Sequence, residues 1–155
     1  MTKRRRFRRP REVFLSHAGK DRRFAGKIAR LLRNVGIPVW YSRTNIHGAA
    51  QWHDEIGKAL GRCDWFVLIL TPHAVDSMWV KRELVYALNN RRYENKIVPL
   101  LRKPCRHARL SWALQEFQFV DFSKDFDKGC RALLRVWKLG NSALAQDEKK
   151  KGQEK

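Results

Sequence analysis

Six consecutive apolar residues, Trp65, Phe66, Val67, Leu68, Ile69 and Leu70, constrain this chain most. A strand with one wet face alternates apolar and polar residues, whereas an unbroken run needs cover on both faces. The run is too short for an ordinary helix and far below the roughly 18 apolar residues that span a bilayer. It predicts a central strand of a buried parallel sheet with helices on both sides.

The flanking sequence alternates strand and helix. Residues 12–16 read as a short buried strand, Asp21 as a residue that caps or opens a helix, and Phe24, Ile28, Leu31, Leu32 and Val35 as that helix's apolar stripe, stopped by Gly36. Residues 37–41 form a second strand, with Pro38 suggesting a sheet edge. Trp52, Ile56, Ala59 and Leu60 mark a second helix ended by Gly61, and Val80, Leu84, Ala87 and Leu88 a third, capped by Asp76 or Ser77. Residues 97–101 are a fourth strand, with Pro99 expected near its end because proline removes a ladder bond. A short helix at 110–114, a fifth strand at 117–122 and a last helix through Phe126, Cys130, Leu133, Leu134 and Trp137 complete the pattern. This is an α/β chain: a flavodoxin-like three-layer sandwich with a five-stranded parallel sheet in the order 2-1-3-4-5. Ligands of such sheets sit beyond the carboxyl ends of the strands, here the loops 16–20, 42–51, 71–79 and 102–108.

The 155 residues suit one domain, expected at 11–139. A basic arm at 1–10 and a charged tail at 140–155 read as disordered and flexible. With 34 Lys and Arg against 15 Asp and Glu the net charge is +19, and removing both ends still leaves a basic body. Such a field favours polyanions, and residues 3–11 are expected to bind them weakly. Cys63, Cys105 and Cys130 lie far apart and share no metal spacing with the five histidines, so idle thiols in a reducing cytoplasm and no metal site are expected. Nothing in the sequence reads as a secretory signal or a membrane span.

Glu83 stands apart from the other acids. Its neighbours three and four residues away are Trp79, Val80, Tyr86 and Ala87, none of them a base, whereas Glu55 has Lys58 and Glu94 has Arg91. One helical stripe thus carries Trp79, Glu83 and Tyr86. Apolar surroundings raise a carboxylate's pKa and suit it to ligand binding or catalysis. A long-range pair with an arginine, and core packing for Trp79, are the structural alternatives. After the first strand, Ser16, His17, Ala18, Gly19 and Lys20 offer small residues and a following helix N-terminus, a weak phosphate signal to which Arg22 and Arg43 could add charge; a turn role explains Ser16 and Gly19 equally well. No G-x-S-x-G, Walker loop or G-x-G-x-x-G is present.

Taken in order, these segments resemble the Toll/interleukin-1 receptor (TIR) domain. Val13 to His17 followed by Asp21 is similar to its first box. Gly36 to Trp40, Gly48, Trp52, Ile56, Ala59, Leu60 and Cys63 resemble its second strand, BB loop and next helix. Ser77, Trp79, Glu83 and Leu84 resemble the motif carrying the catalytic glutamate of NAD⁺-cleaving members, and Ile97, Val98, Pro99 and Leu100 the fourth strand. Many enzymatic members have Cys after the motif's Trp, where this chain has Val80.

The resemblance implies a cytoplasmic NAD⁺ glycohydrolase or cyclase of antiphage or innate immune defence, with NAD⁺ as substrate and no cofactor. Glu83 would be catalytic. Trp79, Ser16, His17, Arg43, Ser77 and Tyr86 would border the substrate, Trp79 facing the nicotinamide. The family also implies homo-oligomers through TIR–TIR contacts and an effector or sensor partner. A non-catalytic scaffold acting through homotypic contacts is the alternative, since a fold does not fix a function.

Overall fold

The computed structural model describes residues 9–42, 49–140 and 148–153, with side chains at 49–52 excepted. Five parallel strands, β1 (Val13–Ser16), β2 (Val39–Trp40), β3 (Trp65–Leu70), β4 (Ile97–Leu101) and β5 (Val120–Asp121), lie in the order β2-β1-β3-β4-β5. The helices are α1 (Arg22–Asn34), α2 (Ala49–Arg62), α3 (Pro72–Val75), α4 (Met78–Leu88) and α5 (Phe126–Val136).

All six residues of β3 are buried. The pleat divides them between two cores. Val13 and Leu15 of β1 and Trp65, Val67 and Ile69 of β3 face α1 and α5. Phe14, Phe66, Leu68 and Leu70 face α2 and α4. Period-two geometry thus turns one continuous apolar run into two half-cores.

The structure corrects several sequence expectations. Pro99 is the third of five residues in β4, not near its end, and sits opposite Leu68. The bonds from Phe66 N–H to Lys96 O and from Arg102 N–H to Leu70 O show that even-numbered β4 residues bond to β3. The Pro99 nitrogen therefore faces β5, whose pairing starts only at Leu100 with Val120, so no ladder bond is lost. β5 is accordingly two residues rather than the six expected. Strand β2 is also shorter than its apolar run, and Pro38 indeed precedes an edge strand. The expected helix at 110–114 is replaced by two 3₁₀ turns, His107–Arg109 and Trp112–Glu116.

Gly36 adopts φ +84° and ends the first helical segment as expected. The packed body begins inside the segment read as an arm. Pro10 is buried, and the Arg9 guanidinium donates to Val35 O. Residues 148–153 of the segment read as a flexible tail are helical, and Lys150 Nζ donates to Asn34 O at 2.7 Å. Both cations thereby meet carbonyls at the negative end of α1.

Candidate functional site

The order in which strands are added reverses between β1 and β3, and such a switch point is where parallel sheets place a crevice at their carboxyl ends. Ser16 closes β1 there, opposite Leu68 of β3. After β3, Thr71 caps α3 by accepting from Ala74 N–H, and Ser77 caps α4 by accepting from Val80 N–H at 3.3 Å. Ser77, rather than Asp76, is the cap, and the extra turn α3 supplies the offset that starts α4 above the sheet edge. Asp21 opens α1 from its N-cap position as expected, but its side chain makes no capping bond; the carboxylate instead accepts from Thr71 Oγ1 at 2.5 Å. That bond ties the end of β3 to the start of α1 across the crevice. Periodicity gave no signal for it.

Helix α4 buries Val80, Glu83, Leu84 and Ala87, one stripe at helical spacing. Glu83 therefore occupies a core position, 8% exposed. Its Oε1 accepts a 2.8 Å hydrogen bond from the Ser16 hydroxyl, itself buried. No arginine or lysine pairs with Glu83 among the described residues. Burial pushes its carboxyl up to about 7, against the smaller lowering effect of the Ser16 bond. The site thus holds a carboxylate at the strand ends without a compensating charge among the described residues, at a pKa suited to service near neutrality.

Trp79 lies one turn before Glu83, half-buried against the α2–α4 core. The Arg82 guanidinium sits 5.4 Å from its ring centroid and the His53 ring 6.0 Å away. The indole face already attracts a cation, as such faces do. Tyr86 is 42% exposed, so the burial of Glu83 comes from the core beneath α4 rather than from a sandwich of two aromatic rings. Val80 is fully buried core.

His17 follows Ser16 and is half-buried. Its ring nitrogens lie 2.8 Å from Ala18 O and 3.0 Å from Ser42 O, which fastens the end of the β1 loop to the entry of the next loop. A Cβ placed on Gly19 would meet nothing within 4 Å, so the backbone there is open to approach. Arg43 and the rest of the 43–48 loop lie outside the described residues. A separate cleft of about 270 Å³ opens between Pro72, Val75 and Asp76 on one side and Pro104, Cys105, Arg106 and Arg109 on the other. Glu83 does not line it.

Comparison with known proteins agrees with this architecture. A family model for the TIR domain matches residues 13–134. Over 76 residues the chain is 30% identical to the NAD(+) hydrolase PdTIR of Paracoccus denitrificans, covering 48% of this chain and 25% of that protein. It is 28% identical over 74 residues to the 2′ cyclic ADP-D-ribose synthase BtTIR of Bacteroides thetaiotaomicron, covering 47% and 26%. The chain thus matches about a quarter of the length of these relatives. Among solved structures, the TIR domain of the Toll-related receptor TRR-2 from Hydra magnipapillata superposes with a TM-score of 0.65 at 19% identity, over 81% of this chain and 96% of that one. The TIR domains of the activated Roq1 resistosome superpose at 0.50 with 21% identity, over 92% and 98%. With the family model spanning all five strands and the sheet in its expected order, this chain belongs to the TIR domain family.

Proposed function

We propose that this TIR domain cleaves the nicotinamide–ribose bond of NAD⁺. The buried Glu83 carboxylate, held by Ser16 at the carboxyl edge of the sheet, carries the reading. Nicotinamide in NAD⁺ is a cationic leaving group, so the step needs stabilisation of the positive charge that develops on the ribose. One aimed carboxylate in a water-poor site supplies it. Ionised Glu83 is the catalytic group, Trp79 faces the departing ring, and Ser16 positions the carboxylate. His17, Arg43, Ser77 and Tyr86 keep the roles that the resemblance implies, Ser77 acting through the start of α4. Water as acceptor gives ADP-ribose, and an acceptor within the same nucleotide gives a cyclic product. The names of the two bacterial relatives cover both outcomes. A role in antiphage or innate immune signalling, a cytoplasmic location and activation through TIR–TIR contacts belong to the same proposal.

A scaffold reading has one observation in its favour: Met78 and Trp112 are 66% and 72% exposed, as at interaction surfaces. Incubating concentrated protein with NAD⁺ and separating the products chromatographically decides between the two. Wild type is expected to release nicotinamide, and Glu83→Ala and Glu83→Gln to lose at least about 100-fold in rate with the fold intact. Full activity in Glu83→Ala refutes the assignment, and NAD⁺ untouched by wild type at high concentration favours the scaffold.

A further inference from the structure

The basic charge of the body is not spread evenly. Helix α1 exposes Arg22, Arg23, Lys27, Arg30 and Arg33 and contains no acid. Around α5, Lys124, Lys128, Arg131, Arg135 and Lys138 are exposed, against Asp121, Asp125 and Asp127 at its start. Asp125 is engaged there, accepting from the Asp127 and Lys128 amides as the cap. The opposite layer is mixed: α2 and α4 carry Lys58, Arg62, Lys81 and Arg82 beside Asp54, Glu55 and Glu83. Helices α1 and α5 therefore carry a larger excess than α2 and α4, although the loops at 91–109 are basic as well.

The two basic helices form one surface. Phe24 of α1 meets Phe126 of α5 edge-on at 6.0 Å, and the Lys27 ammonium lies 5.7 Å from the Phe126 ring, at the seam. Lys27, Lys128, Arg131, Arg135 and Lys138 make no ion pair among the described residues. Fold stability does not require such a concentration, since like charges repel and destabilise the compact state. A row of phosphates relieves that repulsion. Arg23 and Lys27, like Arg131 and Arg135, are four residues apart, about 6 Å along a helix. They form short rows of positive charge suited to the dense, regular charge of a duplex backbone.

We infer that the α1–α5 layer is a sequence-independent docking surface for duplex nucleic acid, gripped through its phosphates. Two features select this partner. Among the described residues, the exposed large apolar side chains Met78, Val85, Tyr86 and Trp112 all lie off this layer, which leaves no stacking platform for single-stranded bases among them. For the same reason it offers no apolar wedge for insertion into a bilayer. The surface stands independently of the NAD⁺ reading, because Glu83 lies in the other core and is not part of it.

Fluorescence anisotropy of the full chain with a labelled random-sequence duplex, at salt from about 50 to about 200 mM, tests the surface. Two charge-matched triple variants are compared, both checked for folding by circular dichroism. Lys27→Glu with Arg131→Glu and Arg135→Glu reverses the layer, and Lys58→Glu with Lys81→Glu and Arg91→Glu changes net charge equally elsewhere. The first is expected to weaken duplex binding at least about 10-fold and to flatten the slope of log affinity against log salt by about 2 to 3. The second is expected to stay within about threefold of wild type. Equal losses in the two triples would reduce the effect to overall charge and overturn the surface. So would absence of duplex binding at the lowest salt, or tighter binding to phosphatidylserine vesicles than to the duplex at the same salt.

Discussion

Replacing Glu83 by Gln should stabilise the protein in a pH-dependent manner. The amide keeps the side chain's shape and can still accept the Ser16 bond at Oε1, so the main change is removal of a buried ionisable group. Below the ordinary value of 4.5, folded and unfolded chains both carry the Glu83 proton and burial of the charge costs nothing. Between 4.5 and about 7 the unfolded chain releases the proton while the folded chain keeps it, so stability falls as pH rises. Above about 7 the full cost applies. At about 1.4 kcal/mol for each tenfold change, the displacement corresponds to about 3 kcal/mol. For a chain of this size that is about 6–12 °C in Tm. Thermal melts of wild type and Glu83→Gln at about pH 5 and about pH 8 should show a small difference at the lower pH and the variant clearly ahead at the higher one. Equal differences at the two pH values, or a variant less stable at the higher, would refute the claim that an uncompensated charge is buried here. The variant expected to lose catalysis is thus expected to gain stability, as when a site is built at the expense of the fold.

Two further outcomes follow from the same geometry. If ionised Glu83 acts on NAD⁺, kcat/KM should rise with pH through a midpoint near 7; Ser16→Ala, which removes a bond that favours the ionised form, should move that midpoint upward while Glu83→Ala abolishes turnover. Gly129→Ala should lower thermal stability by about 1–3 kcal/mol, because a Cβ there would run into the Phe122 ring; an unchanged melting temperature would show that the ring moves aside freely.

The sheet was legible because its central strand is one continuous apolar run and each crossover helix carries a clear stripe. Strand lengths were less so. The hydrophobic residues around β2 and β5 continue past the hydrogen-bonded register, and only pairing with β1 and β4 determines where the strands stop. Pro99 seemed misplaced because sequence does not reveal which neighbour a given nitrogen faces. Glu83 was found by what its helix neighbours lack, and the structure adds the Ser16 hydroxyl, 67 residues away in sequence. The Thr71–Asp21 bond is equally nonlocal, and no periodicity announces it. Tyr86 shares the Glu83 stripe by spacing, yet it is exposed because the stripe passes beyond the core it packs on.

Arg9 and Lys150 fasten to adjacent carbonyls at the far end of α1. That end lies at the amino edge of the sheet, across the whole body from the rim where Glu83 meets Ser16. Any module joined before Arg9 or after Lys150 would therefore be tethered at the floor of the domain, away from the candidate site. Such an arrangement would let one TIR body be joined to different neighbours at either end without altering the surroundings of Glu83 and Ser16.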